Sequence, residues 1–119
     1  MLSETFTIHK LSPDASIREG ILKSNYYSVI KTENKLSVVC SEVIKVQSLQ
    51  NSKRWKCIKV KGPLDFNLTR ILASISDILR KANIIIFTIS TFEKYYILVI
   101  THDLSLATTK LRQASYKFE

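Results

Sequence analysis

The sequence has few of the residues that mark disulfide scaffolds, metal sites and membrane spans. Of its 119 residues only two are cysteine, two are glycine and two are proline. Two cysteines are too few for a disulfide framework or a zinc site, and both stand in apolar, strand-like surroundings, which predicts buried free thiols in a reducing cytosol. No apolar run approaches the roughly 18 residues of a membrane span, and no segment has the pattern of a secretory signal. We therefore expect a cytoplasmic globular protein with no membrane partner.

Catalytic patterns are also missing. The chain has no glycine-rich phosphate loop, no metal-ligand spacing and no histidine paired with a nucleophile or carboxylate motif. His9 stands alone in a predicted strand. We expect no enzymatic activity, no catalytic residue, no cofactor and no metal.

Basic residues outnumber acidic ones, and the formal net charge is +8. Five of the 18 basic residues crowd into residues 53–61, which allows a phosphate-binding patch. A lysine-rich strand is also a common defence against sheet-to-sheet aggregation. We favour the solvated face, and nucleic acid is not the expected partner.

The clearest element is a helix that ends near Ala82. Its apolar residues follow the 3.6-residue period on one face: Ile71, Leu72, Ile75, Ile78, Leu79 and Ala82. Asp65 or Asn67 could cap its first turn, and Asn83 suits a left-handed residue just past its end. The predicted helix therefore runs from about Phe66 to Ala82.

Two β-branched, aromatic segments follow, Ile84–Ile89 and Tyr95–Ile100, separated by a connection of hairpin length, 90–94. In each segment the apolar residues stand at both odd and even positions, and so on both faces of the strand. Both faces of this sheet should therefore be covered, one by helices and the other by a second layer or a second subunit.

The remaining elements have weaker signals. They are a strand Phe6–Leu11, a turn Ser12-Pro13-Asp14, a helix Ala15–Leu22, strands Tyr26–Lys31 and Leu36–Cys40, a loop centred on 47–52, a strand Trp55–Val60, a helix capped by Thr101 or Asp103 with apolar Leu104, Ala107, Leu111 and Ala114, and a strand Tyr116–Phe118.

This order predicts an α+β protein. The second half, 51–119, reads as the ferredoxin-like βαββαβ unit, in which helices cover one face of an antiparallel sheet. The first half, 1–50, reads as the same unit without its second helix and last strand. A degenerate duplication would explain the two halves, which we expect to pack as one compact unit.

Three motifs carry a resemblance over roughly residues 5–118. They are Leu36-Ser37-Val38-Val39-Cys40-Ser41-Glu42, then Val60-Lys61-Gly62-Pro63-Leu64-Asp65-Phe66 after the Trp55 strand, and Ile89-Ser90-Thr91-Phe92. In this order and spacing the chain resembles small bacterial ACT-domain proteins related to the CASTOR arginine sensors. The first half then corresponds to a degenerate ACT-like half, and the second to an ACT domain.

The resemblance implies a non-catalytic regulator that binds an amino acid where the strand-to-helix turn of one ACT unit meets a neighbouring unit. Free N–H groups at a helix start suit a carboxylate. Mapped residue by residue, the implied ligand positions are Gly62, Leu64, Asp65, Phe66, Asn67, Leu68, Thr69 and Arg70 at the turn, and Ser90, Thr91 and Phe92 on the opposing edge. A homodimer is the expected assembly.

Two departures and several plainer alternatives accompany this mapping. The family has glycine where this chain has Arg70 and aspartate where it has Tyr95, so the group expected to pair with a cationic ligand is absent. Asp65 could be only a helix cap, and Ser90 and Thr91 could only close a hairpin. The competing functions are a homodimeric assembly module that has lost its ligand and, less favoured, an RNA-binding module of the same element order, whose basic-glycine-aromatic motif is missing here.

Overall fold

A computed structural model describes residues 4–61, 68–91 and 94–118. The chain divides into two compact units, Glu4–Trp55 and Lys56–Glu119. The sequence places its boundary near residue 50, whereas the division in the structure falls inside a strand, β4 (Gln50–Lys61). Within the described residues no helix has the length and apolarity needed to cross a membrane.

The N-terminal unit contains three antiparallel strands and one short helix. In chain order these are β1 (Thr5–Leu11), α1 (Glu19–Leu22), β2 (Ser28–Lys31) and β3 (Leu36–Ser41). The strand order is β2-β3-β1, so β3 pairs with both of the others. The first half of β4 also belongs to this unit, and just before it the N–H of Leu49 donates to the carbonyl of Lys10.

One side of this sheet carries the apolar core of the unit. The core contains Leu11, Ile21, Leu36, Val38 and Cys40, with Ala15, Ile17, Ile44 and Val46 packed against it. Leu11 lies opposite Leu36 in the sheet register, and His9 lies opposite Val38. His9 therefore stands in the row of β1 side chains that faces this core.

The first helix is much shorter than its sequence predicts. Only Glu19–Leu22 is helical, and Arg18 is extended, with φ −66° and ψ 141°. In residues 15–18 burial alternates, because Ala15 and Ile17 pack on the core while Ser16 and Arg18 are exposed. An extended backbone buries both apolar residues at this spacing, and the guanidinium of Arg18 donates to the carbonyl of Lys45.

The strand before the long helix is longer than predicted. The sequence places a polar loop over 47–52, yet β4 begins at Gln50. Its first five side chains are exposed, so strand pairing rather than side-chain burial determines their conformation. Arg54 has a positive φ of 67°, a backbone conformation of the kind found at β-bulges. The indole N–H of the next residue, Trp55, donates to the Ser52 hydroxyl at 2.9 Å.

The C-terminal unit has the complete ferredoxin-like arrangement, as predicted. After β4 come α2 (Leu68–Lys81), β5 (Ile86–Ser90), β6 (Tyr95–Ile100), a 3-10 turn (Thr101–Asp103), α3 (Leu104–Gln113) and β7 (Lys117–Phe118). The strand order is β5-β6-β4-β7. Its first three strands repeat the β2-β3-β1 order of the N-terminal unit, which agrees with the predicted degenerate duplication.

The long helix and its end follow the sequence prediction. Ile71, Ile75 and Leu79 are buried in the core of this unit. Asn83 has a positive φ of 60°. The N–H of Ile84 donates to the carbonyl of Leu79 at 3.0 Å, and the N–H of Asn83 donates to the carbonyl of Arg80 at 2.9 Å. These two bonds form a Schellman motif, closed by packing of Ile84 in the same core as Leu79.

The last helix differs from its prediction at both ends. Asp103 occupies the N-cap, yet its carboxylate makes no capping hydrogen bond, because its own backbone is already helical with φ −93° and ψ −4°. Ala114 is exposed at the C-cap, and the buried residues are Ala107, Thr108 and Leu111. Ser115 then ends the helix with φ 68°.

Both faces of the apolar hairpin are withdrawn from solvent, as its sequence indicates. Tyr95, Ile97 and Val99 belong to the core that α2 and α3 cover. Leu98 alternates to the other face and is also buried, and its register partner Phe87 is half-buried.

Candidate functional site

Most of the ligand positions implied by the resemblance lie outside the described residues. These are Gly62, Leu64, Asp65, Phe66, Asn67 and Phe92. The start of the predicted helix near Phe66 and its caps Asp65 and Asn67 lie there too. The described part of the candidate site consists of the start of α2 and the end of β5.

Leu68, Thr69 and Arg70 form the first turn of α2. The first N–H groups of an α-helix have no partner within the helix, and the helix dipole adds partial positive charge there. A ligand carboxylate would be stabilised at this end. The opposite end of α2 carries Arg80 and Lys81, both of which pair with Asp77, at 2.7 and 3.0 Å.

These two pairs have a visible electrostatic effect. The hydrogen bond from Lys81, followed by that from Arg80, lowers the pKa of the Asp77 carboxyl below its ordinary value. All three side chains are well exposed, so the pairs bring little stability. Their effect is to leave the end of α2 with one net positive charge.

Ser90 is the last residue of β5, and Thr91 follows it where the chain turns toward β6. Ser90 is exposed and lies opposite Tyr95 in the sheet register. The N–H of Thr91 donates to the Lys94 carbonyl at 2.9 Å, and the Lys94 N–H donates to the Thr91 hydroxyl at 3.1 Å. The Thr91 hydroxyl thus closes the turn, while Ser90 is exposed to solvent.

Tyr95 stands where the family pattern has an aspartate. Its side chain is only 6% exposed and belongs to the core beside Ile97 and Val99. A buried aromatic ring supplies packing rather than a counter-charge. This position therefore offers no carboxylate to a cationic ligand.

The N-terminal unit has a surface groove of about 650 Å³ that the sequence did not indicate. It lies between the start of β1, the end of α1 and the chain after β3, and its lining residues are Glu4, Thr5, Gly20, Lys23, Ser24, Asn25, Ser41, Glu42, Val43 and Ile44. Ser41 and Glu42 close the first motif of the resemblance, which was the available signal. None of the implied ligand residues lines this groove.

A second groove, of about 500 Å³, lies in the C-terminal unit. Ser76 and Arg80 of α2 form one wall, and the segment leading into β5 forms the other through Asn83, Ile84, Ile85 and Ile86. It too contains none of the implied ligand residues.

The buried titratable groups are held neutral. His9 is 5% exposed; its Nδ1 lies 3.0 Å from the Ser48 hydroxyl, and its Nε2 is buried without a partner. Burial, and then the charge of Lys53, lower the pKa of His9. Burial raises the pKa of the Cys57 thiol to about 12 and also raises that of Cys40. These shifts favour the uncharged imidazole and the uncharged thiols at neutral pH.

The described residues contain no group of three or more histidine, cysteine, aspartate or glutamate side chains that could hold a metal ion. Cys40 and Cys57 are both free and buried, as predicted. The described part of the candidate site offers a helix start and the hydroxyl groups of Ser90 and Thr91.

Comparison with known proteins supports the assignment of the fold. The ACT domain family matches residues 50–113, from the first residue of β4 to the last residue of α3. A crystal structure of protein Atu0741 from Agobacterium tumefaciens superposes with a TM-score of 0.83 at 30% identity, over 93% of this chain and 83% of that one. No protein of curated function matches the sequence. Because the family match covers more than half of the chain, the chain belongs to the ACT domain family.

Proposed function

We propose that this chain is a non-catalytic regulatory protein that binds a free amino acid at the start of α2, where two ACT units meet. ACT domains are in general regulatory ligand-binding domains, and the match over residues 50–113 is the observation that carries the proposal. The turn between β4 and α2 lies within the matched part. Regulation through bound ligand requires a site and a partner but no catalytic group, which agrees with the neutral, buried histidine and thiols described above.

The ligand carboxylate would lie at the first turn of α2. Its N–H groups and the positive end of the helix dipole favour an anion, and residue Arg70 belongs to the same turn. The ligand amino group would contact acceptors on the opposing edge, where Ser90 is exposed. Because Tyr95 replaces the aspartate of the family pattern, we expect a ligand whose own side chain is neutral or acidic rather than an arginine-like cation.

One alternative has a specific observation in its favour. The Thr91 hydroxyl is used to close the β5–β6 turn, and Tyr95 fills the core, so two positions of the family pattern serve structure in this chain. A chain that kept the fold and lost the ligand would show the same arrangement. It would act as an assembly module in the cytoplasm, where buried free thiols stay reduced.

Thermal-shift measurements with each of the twenty amino acids, at low and high salt, test the proposal. Binding at a hundredfold excess over Kd raises stability by about 2.7 kcal/mol, which corresponds to a rise in Tm on the order of 10 °C for a chain of this size. We expect one amino acid, or one chemical class, to raise Tm selectively. If none of the twenty amino acids raises Tm, the result would contradict the proposal and support the assembly module.

A pair of variants on the same helix locates the site. Arg70→Ala removes a cationic residue of the first turn, whereas Arg80→Ala removes one of the last turn, where the Arg80 side chain is exposed. Loss of the ligand shift in Arg70→Ala alone would support binding at the start of α2, and loss in neither would place the ligand elsewhere. A short RNA in the same series tests the basic residues along β4, because phosphate binding would weaken steeply with salt.

A further inference from the structure

The groove of the N-terminal unit has the size of a small-molecule site. Its volume is about 650 Å³, and such sites occupy roughly 300–1,000 Å³. All of the described residues that line it belong to one compact unit, Glu4–Trp55. The N–H of Glu42 donates to the carbonyl of Thr5 at 2.8 Å, which holds the chain after β3 against the start of β1. These two segments form one wall of the groove, and the end of α1 forms the other.

The groove carries negative charge in a basic protein. Glu4 and Glu42 both line it, and among the described residues neither carboxylate has an ion-pair or hydrogen-bond partner. Lys23, the cationic residue of the lining, lies 2.9 Å from the Glu19 carboxylate, so these two charges offset each other. Two negative charges are left at the groove, although the chain as a whole has a net charge of +8. A cationic group would be attracted to both.

One polar side chain of the lining is buried without a partner. Ser41 is only 6% exposed, and within the part of the chain that the structure describes its hydroxyl makes no hydrogen bond. Buried hydroxyl groups in native proteins are nearly always paired, so an unpaired one indicates that something else satisfies it. The Ser24 hydroxyl, in contrast, donates to the Ile21 carbonyl at 2.6 Å and has only its oxygen left to offer as an acceptor.

Gly20 stands in the wall of the groove for no reason that the fold supplies. It is the second residue of α1, where glycine lowers helix stability by about 1 kcal/mol relative to alanine. Its φ is not positive, and a side-chain carbon added there would meet no atom within 4 Å. Neither the backbone nor the packing therefore requires glycine at this position. Its absent side chain keeps this wall of the groove open.

We propose that this groove binds a small aliphatic amine. The ammonium group would pair with the carboxylates of Glu4 and Glu42 and donate to the Ser41 hydroxyl, because it has three N–H donors and no acceptor. The alkyl chain would cover Val43, an apolar side chain that is 83% exposed, and pass Gly20 on the opposite wall. This inference does not depend on amino-acid binding at α2.

A titration with pentylamine, followed by two-dimensional NMR of the nitrogen-labelled whole chain, tests the proposal. We expect saturable shifts of the amide signals of Gly20, Ser24 and Glu42. Pentanol, which has the same chain length without the charge, should give no saturable shift. Pentylamine has no carboxylate, so it does not meet the requirement of the site proposed at α2, and shifts at the groove would be independent of that site.

Three variants assign the binding to the groove. Glu42→Gln should raise the Kd for pentylamine by about fivefold to tenfold, because it removes one of the two charges. Glu33→Gln is the matched control: it removes the same charge from the exposed β2–β3 turn and should leave the Kd unchanged. Gly20→Leu should also raise the Kd, because it adds a side chain at the wall. All three should keep the wild-type Tm within a few degrees, since each position is exposed.

Either of two results would overturn the proposal. One is the absence of saturable shifts up to the highest pentylamine concentration at which the chain stays folded. The other is a Kd that neither Glu42→Gln nor Gly20→Leu raises, which would place the amine outside the groove.

Discussion

His9 should make the stability of this protein depend on pH between about 7 and 5. The imidazole is buried in the core-facing row of β1, and burial together with the charge of Lys53 lowers its pKa. In the unfolded chain its pKa returns to about 6.5. Between these two values the unfolded chain binds more protons than the folded one. Stability is therefore complete above the unfolded pKa and declines as the pH falls toward the folded pKa.

The size of the effect has an upper limit. A single group that is protonated in the unfolded chain and neutral in the folded one changes the free energy of unfolding by at most about 1.4 kcal/mol per pH unit. The decline should level off once the pH is below the folded pKa. Asp77 does not interfere, because a lowered carboxyl pKa costs stability only as the pH falls below about 4.

Urea denaturation at half-unit steps from pH 8 to pH 5 gives this slope directly. His9→Leu should be within about 1 kcal/mol of wild type at pH 8, because it removes an imidazole whose Nε2 has no partner and leaves only the half-buried Ser48 hydroxyl unpaired. The variant should lose the slope and become the more stable protein at pH 5.

The control is His102→Gln, which changes a histidine whose side chain is 80% exposed. It should keep the wild-type slope. The reasoning would be refuted by a wild-type protein whose stability is flat from pH 7 to pH 5, or by a slope that persists in His9→Leu. Either result would mean that the buried imidazole does not titrate as its surroundings require.

Three further predictions concern stability and thiol chemistry. In urea denaturation, Ser115→Gly should stabilise the fold by about 0.5 to 1 kcal/mol, because glycine adopts the positive φ of this helix end without strain. The control is Ser105→Gly, on the exposed side of the same helix, which should destabilise the fold by a similar amount. Leu79→Ala should lower the free energy of unfolding by about 2 to 5 kcal/mol, since Leu79 is fully buried. Leu106 is 45% exposed, so Leu106→Ala should lower it by about 1 kcal/mol or less. Equal losses in the two variants would contradict the core assignment. Neither cysteine should react with Ellman's reagent at pH 8 until the protein is denatured, while a Ser90→Cys variant should gain one thiol that reacts at once.

The C-terminal unit was predictable because its signals are local and agree with one another. The apolar period of α2, the left-handed Asn83 and the apolar hairpin each indicate the element that forms, and packing in one core reinforces all three. Ser115, by contrast, has the same backbone conformation without the asparagine or glycine that usually marks it.

The N-terminal unit was less predictable because long-range pairing and burial decide its backbone. Residues 15–18 look helical by composition, but two side chains at alternating positions fill the core only when the chain is extended. The polar start of β4 has no strand pattern and is a strand because its neighbours pair with it. The family resemblance was confirmed as far as the ACT domain.

The ligand positions stay a prediction. They depend on the β4–α2 turn, and the residues that could be followed into the structure are the first turn of α2, Ser90 and Thr91. The two surface grooves were not predicted, because each depends on how separate segments pack: the first joins residues 4–5, 20–25 and 41–44, and the second joins α2 to the chain leading into β5. In the first groove, Ser41 and Glu42 belong to the first motif of the resemblance, a segment that the sequence had singled out.

β4 limits how this chain can be dissected. The compact units divide after Trp55, in the middle of the strand, whereas the family match starts at Gln50, its first residue. A fragment cut at the unit boundary would leave each piece with half of a twelve-residue strand and a new charged terminus in place of a peptide bond. A fragment that starts at Gln50 keeps the strand whole but removes residues 50–55 from the first unit. Neither cut leaves both units complete, so we expect fragments made at these positions to be less stable than the whole chain.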